Sequence, residues 1–196
     1  MELIAHRVNK ITKLKKLPLK YGAEIDIRDS GKELIVVHDP FKKGEKLEKF
    51  LKNYKHKTLI ANVKSERIED KIIKLLKKYK IKDYFFLDSS FPKIIELTKK
   101  RFRNIALRVS YYENISIAKK LKGKARWIWY DTFFGFPKNL SEFRYLKKDL
   151  NYKICLVSPE LHKIKIEKNS KIFKKIKKSN YIDAVCTKQK YFKNWL

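Results

Sequence analysis

The 196-residue chain is long enough to bury a core without disulfide or metal staples. It carries 50 basic against 21 acidic residues, a formal net charge of +29, yet 43% apolar and 13% aromatic content excludes a disordered chain. No apolar run reaches the ~20 residues of a membrane span, no secretory leader pattern opens the chain, and Cys155 and Cys186 each sit in an apolar run, which together reads as a cytoplasmic protein with reduced thiols.

The charge comes from 42 lysines and 8 arginines spread along the chain, so it reads mainly as solvated faces. Such a surface attracts small anionic substrates and polyanions at low salt, and peripheral contact with an anionic membrane fits it. A specific nucleic-acid partner does not, because no arginine-rich or aromatic–basic motif is present.

In chain order, Glu2–His6 reads as a first strand and Lys10–Leu17 as a short basic helix ending before Pro18. Ala23–Arg28 alternates as a strand, Asp29–Lys32 turns, and Leu34–His38 returns as a hairpin arm. Glu45–Tyr54 has helical spacing, Thr58–Lys64 is a strand, and Glu66–Tyr79 is the clearest helix, with Ser65 predicted as its N-cap. Tyr84–Asp88 is a strand, and Pro92 opens a helix reaching about Arg103. Asn104–Val109, Arg126–Asp131, Tyr152–Val157 and Ile182–Cys186 are strands, with helices at Glu113–Leu121, Ser141–Leu150, Ile172–Ser179 and the C-terminus.

Leaving the hairpin arm aside, this pattern predicts eight strands separated by helix-sized segments. Such alternation points to an α/β protein with a parallel sheet, read here as a compact single-domain (β/α)8 TIM barrel spanning 1–196, with stunted helices because the fold typically takes ~250 residues. A doubly wound open sheet is the alternative. No GxGxxG turn follows the first strand and no Walker loop occurs, which removes nucleotide-fold readings.

Barrel enzymes keep their chemistry at the C-terminal strand ends. Here those ends carry His6-Arg7, Glu24, Asp26, Asn62, Lys64, Asp88, Arg108, Asp131 and Lys188. Residues two apart share a strand face, so Glu24 pairs with Asp26 and Asn62 with Lys64. Pointing inward, Glu24, Asp26 and Asn62 offer the oxygen donors that Mg²⁺ or Ca²⁺ prefers; pointing outward, they are the wet face of an edge strand. His6 and His38, each closing an apolar run beside that pair, favour a site, since two histidines can serve as general base and acid. Arg7 and Lys64 suit a phosphate. Asp88, Arg108, Asp131 and Lys188 are candidate substrate contacts, with capping or turn formation as the plainer reading of the two aspartates. Trp127 and Trp129 share a face, read first as core and second as a stacking platform. His56 and His162 lie among lysines and read as surface residues.

The combination His6-Arg7, Glu24-Ile25-Asp26, His38-Asp39 and Asn62-Val63-Lys64 resembles the phosphatidylinositol-phospholipase-C-like phosphodiesterase superfamily, and within it the glycerophosphodiester phosphodiesterases. That family shows His-Arg, Glu-x-Asp, His-Asp and Glu-x-Lys in this order; a loose match to its closing Asp-x-x-x-Thr-Asp falls at Asp183–Lys188. The resemblance implies a (β/α)8 barrel in which Glu24 and Asp26, with Asn62 in the third position, bind a divalent metal. His6 and His38 would be the acid–base pair, and Arg7 and Lys64 would contact the phosphate of a small phosphodiester such as a glycerophosphodiester or a sugar or polyol phosphate. This sequence departs at Val8, where the family has glycine, in lacking a Pro-Glu-Asn-Thr segment, at Asn62, where the family has an acid, and at Lys188. Asn62 also motivates the alternative of a weak or inactive barrel that binds a phosphorylated sugar, lipid headgroup or other polyanion.

Overall fold

A computed structural model describes all residues 1–196. The chain groups into two compact units, one of Ile4–Lys99 and one of Met1–Leu3 with Lys100–Leu196.

The Ile4–Lys99 unit takes in the end of β1 (Glu2–Ala5), then α1 (Ile11–Lys16), β2 (Gly22–Ser30), β3 (Glu33–Val36), β4 (Glu45–Lys46), α2 (Leu47–Lys52), β5 (Leu59–Val63), α3 (Glu69–Lys78), β6 (Tyr84–Leu87) and α4 (Phe91–Lys99). Parallel pairing runs from β1 to β2, β2 to β5 and β5 to β6, with Asp26 in register with Asn62. Every residue of β5 is buried, the near-continuous apolar character expected of a parallel strand covered on both faces. Asn62 is the polar exception in it.

From β2 the chain doubles back antiparallel through β3, which pairs with the two-residue β4. Strand β4 lies at the start of what the spacing predicted as a helix from Glu45. Gly44 permits this pairing by close approach, since a Cβ there would lie 2.7 Å from the Val36 carbonyl oxygen. Glu45 then receives the Ile11 N–H on Oε2 (2.8 Å), fixing the start of α1 to the hairpin.

Helix α3 begins three residues later than expected. Ser65 is not its N-cap; its hydroxyl accepts the Asp29 N–H instead. Glu69 and Asp70 supply the negative charge favoured in a first turn, and Ile68, Ile72 and Leu76 form the buried stripe.

The second unit contains β7 (Ala106–Val109), α5 (Ser116–Lys120), β8 (Trp127–Tyr130), α6 (Ser141–Arg144), β9 (Lys153–Val157), α7 (Lys171–Lys178), β10 (Ala184–Thr187) and α8 (Phe192–Trp195). Strands β7, β8, β9 and β10 pair in that order, all parallel. The helix predicted over Ser141–Leu150 is α6 followed by a π-helical turn, Tyr145–Asp149. Helix α7 is capped by Ser170, whose hydroxyl accepts the Phe173 N–H, and buries Phe173 and Ile176 beneath its lysines.

Asp183 anchors this unit from the start of β10. Its backbone oxygen accepts the Glu2 N–H (2.7 Å), while its carboxylate takes the Ile154 N–H (2.8 Å) and the Lys147 ammonium (2.6 and 2.8 Å). Trp127 and Trp129 are buried, so they are core and not a platform. Cys155 and Cys186 are buried free thiols. No helix is long and apolar enough to cross a membrane.

Candidate active site

Strand β2 carries two carboxylates inward. Glu24 is 1% and Asp26 0% exposed, which rules out the wet-face reading of this strand. Burying two like charges demands compensation, and each oxygen shows how far it goes. Glu24 accepts the Asn62 side-chain N–H on Oε1 (2.8 Å) and the Arg7 backbone N–H on Oε2 (2.6 Å). Asp26 accepts the Asn9 side-chain N–H on Oδ2 (2.7 Å), and the Asn9 side-chain oxygen Oδ1 accepts the Asp26 backbone N–H in return (2.9 Å). Asp26 Oδ1 has no hydrogen-bond partner, and neither has Asn62 Oδ1; both are buried. Burial, with Asp26 close by, pushes the Glu24 carboxyl up to about 7, against the lowering pull of Asn62, Arg7 and Lys64.

Arg7 turns out of β1 with φ +53, a left-handed conformation costly for a residue with a Cβ. That turn aims its N–H at Glu24 and swings its guanidinium over the site, where Nη2 lies 2.6 Å from His38 Nε2 and Nε lies 3.9 Å from Asp26 Oδ2. Arginine only donates, so His38 Nε2 accepts and its proton is on Nδ1, which donates to Asp39 Oδ1 (2.8 Å). The same hydrogen bond holds the Asp39 carboxyl below its ordinary range. This hydrogen-bond pattern orients the His38 ring with Nε2 toward the site and Nδ1 on Asp39, the orientation a general base requires. His6 stands across the carboxylates with Nε2 3.9 Å from Glu24 Oε2.

Lys64 leaves β5 with its ammonium 2.8 Å from Asp88 Oδ2 and 3.9 Å from Asp26 Oδ1. Asp88, at φ +58, is therefore an ion-pair partner of Lys64 as well as a turn residue. Arg28, further along β2, donates to the backbone oxygens of His38 (2.9 Å) and Lys64 (2.8 Å), holding the exits of β3 and β5 together.

A divalent ion is what the resemblance adds to this set. No group of three or more His, Cys, Asp or Glu side chains converges to hold one, and the Asn62 amide N–H is committed to Glu24. The two buried oxygens without a hydrogen bond, Asp26 Oδ1 and Asn62 Oδ1, are hard donors, and with Glu24 they fit an oxygen-seeking cation.

The remaining candidates lie in the second unit. Arg108 donates to Asp131 Oδ2, Trp129 donates to the same oxygen (3.3 Å), and His162 Nε2 is bonded to Asp131 Oδ1. His162 is thus no free surface residue, and Phe133 packs against its ring, the centroids 4.7 Å apart. His56 is likewise partnered, its Nε2 2.8 Å from the Leu17 carbonyl oxygen. Lys188 lies exposed at the start of a 3-10 turn. Sequence reasoning missed Asn9 and His162. Both act through partners 17 and 31 residues away, a separation no local pattern signals.

No protein-family model matches the sequence, and no curated protein matches it either. Solved structures do, and they define the class of fold: an α/β chain of the (β/α)8-barrel type, as the strand pattern predicted. A glycerophosphodiester phosphodiesterase from Agrobacterium tumefaciens is similar with a TM-score of 0.66 and 14% identity, over 96% of this chain and 95% of that one. A phosphodiesterase from Oleispira antarctica, solved with its product sn-glycerol-3-phosphate, is similar with a TM-score of 0.71 and 14% identity, over 99% of this chain and 96% of that one. These neighbours include the family that the His-Arg, Glu-x-Asp and His-Asp motifs resemble.

Proposed function

We propose that the chain is a metal-assisted phosphodiesterase acting on a small phosphodiester whose alcohol is glycerol, a polyol or a sugar. The observation that carries this reading is the convergence of His6, an Asp39-oriented His38 and two cationic side chains on a buried carboxylate pair. Similarity of fold to phosphodiesterases, one bound to a glycerol phosphate, supports the substrate class.

Arg7 and Lys64 would hold the phosphoryl oxygens. Arg7 exchanges its bond to His38 Nε2 for one to the phosphate, and that exchange frees the lone pair. His38 Nε2 then takes the proton of the attacking oxygen, from water or from a neighbouring substrate hydroxyl, while Asp39 stabilises the imidazolium that forms. His6 gives a proton to the departing alkoxide. Glu24, Asp26 and Asn62 would hold Mg²⁺ or Ca²⁺, which when bound supplies charge screening for the phosphoryl oxygens.

The test is hydrolysis of bis-p-nitrophenyl phosphate and of glycerophosphodiesters with added Mg²⁺, Ca²⁺ or Mn²⁺. Turnover should exceed that of a His6→Ala/His38→Ala double variant by at least ~100-fold, the lower range for acid–base catalysis, and should fall on chelation. Equal rates for the two proteins on every substrate would remove the proposal. The hydrogen bond from Asn62 to Glu24 favours a second reading, a catalytically weak barrel that binds a phosphorylated sugar or headgroup. That reading predicts binding of sn-glycerol-3-phosphate that survives both chelator and the loss of the two histidines.

A further inference from the structure

Two tight turns in the second unit push aromatic rings into solvent. After β7, the Ser110 hydroxyl accepts the N–H groups of Tyr112 and Glu113 (both 3.1 Å) and donates to Glu113 Oε2 (2.7 Å). This closes a turn that displays Tyr111 and Tyr112. After β8, the Gly135 N–H bonds the Thr132 oxygen (2.9 Å), with Gly135 at φ +93, and the Thr132 hydroxyl is fixed to the Val157 oxygen (2.8 Å). That turn displays Phe134, with the half-buried Phe133 packed on the His162 ring behind it. Arg108 joins the two, its Nε 3.4 Å from Glu113 Oε1 and its Nη1 on Asp131 at the base of the second turn.

The rings meet edge to face, Tyr111 on Tyr112 at 5.2 Å, Tyr111 on Phe134 at 5.0 Å and Tyr112 on Phe133 at 5.7 Å. Tyr111, Tyr112 and Phe134 nevertheless remain 80%, 69% and 66% exposed. Isolated exposed apolar residues need no explanation, but a contiguous aromatic patch marks an interaction site. This patch is held rigid, so little conformational entropy is lost when it is covered.

We infer that this aromatic knob docks the protein on an anionic lipid surface. Tyrosine partitions to the depth of lipid headgroups, where its apolar ring and polar tip are both satisfied, and phenylalanine adds apolar area just below. A chain with 50 basic and 21 acidic residues is drawn to anionic lipids. The exposed Lys138 follows the phenylalanine turn in the chain. Stacking on nucleic-acid bases is less well served, because the rings cover one another edge to face and leave no row of open faces. The inference stands apart from the phosphodiesterase reading and is tested without substrate.

The experiment is flotation of the full chain with vesicles of equal phosphatidylglycerol and phosphatidylcholine, and with phosphatidylcholine alone, at 0.1 M salt. The unmodified protein should float with the anionic vesicles. A Tyr111→Ser/Tyr112→Ser/Phe134→Ser variant, shown by thermal melting to be folded, should partition at least ~10-fold more weakly. A Phe134→Trp variant should retain binding and show a blue-shifted emission on vesicle addition. The inference is overturned if the unmodified protein stays in solution. It is equally overturned if the triple variant floats as well as the unmodified protein, which would make lysine charge alone responsible. Loss of self-association or of RNA binding in the triple variant, with no vesicle partition by the unmodified protein, would assign the knob to that other partner.

Discussion

Replacing Glu24 by glutamine should change how the stability of the metal-stripped protein depends on pH. The Glu24 carboxyl is raised from 4.5 to about 7, first by burial and then by Asp26. One unit corresponds to ~1.4 kcal/mol, so keeping Glu24 ionised in the folded protein costs about 3 kcal/mol relative to the unfolded chain. The native protein binds this proton more tightly than the unfolded chain does. The resulting stabilisation is therefore full below 4.5 and is lost as pH rises through about 7. In Glu24→Gln the side-chain oxygen can still accept the Asn62 N–H, but an NH2 group replaces the oxygen that received the Arg7 N–H, at a cost of about 1–2 kcal/mol. The variant should be the less stable protein at pH 5 and equal or superior to the unmodified one at pH 8.5. Urea unfolding in chelator at pH 5, 7 and 8.5 measures this, and millimolar Mg²⁺ or Ca²⁺ should restore much of the high-pH loss in the unmodified protein only. Parallel stability–pH curves for the two proteins would refute the reasoning.

Three further outcomes are expected. Asp39→Asn leaves His38 without its anionic partner and should lower kcat on bis-p-nitrophenyl phosphate by at least ~10-fold, with KM little changed. Gly44→Ala forces a Cβ toward the Val36 oxygen at 2.7 Å and should destabilise the protein by about 2 kcal/mol in urea unfolding, with activity falling as the β3–β4 hairpin shifts His38. Asp131→Ala removes the shared partner of Arg108, Trp129 and His162 and should lower stability by about 2 kcal/mol, whereas Asp83→Ala, at an exposed position, should be neutral by the same measurement.

The sequence disclosed the carboxylate pair and its neighbours because strand alternation is strict: Glu24 with Asp26, and Asn62 with Lys64, share faces whatever the loops do. His6 and His38 were legible because each ends an apolar run. The left-handed turn at Arg7 was not, since arginine is not the glycine, asparagine or aspartate that advertises such a conformation, whereas turn formation is already the plainer reading of Asp88. Helix α3 kept its apolar stripe but lost its expected cap, because Ser65 found a partner on β2, in competition no local rule resolves. His162 misled for a related reason. Lysine-rich surroundings in sequence describe solvent neighbours, whereas the ring itself is anchored to Asp131 from another part of the unit. Strand β4, only two residues long, left no period to read.

Arg28 has a consequence for how this site tolerates change. Its guanidinium grips two backbone oxygens, so it holds the positions of His38 and Lys64 without reading the identity of either side chain. The His38 and Lys64 backbones are registered by the framework of the sheet, and the loops between them are free to shorten, lengthen or drift in sequence. A chain could in this way keep the spatial arrangement of such a site while the sequence of its loops changes. The corollary is a single point of failure: replacing Arg28 by lysine, which cannot span both oxygens, would unfasten the exits of β3 and β5 together, and with them the proposed base and phosphate contact.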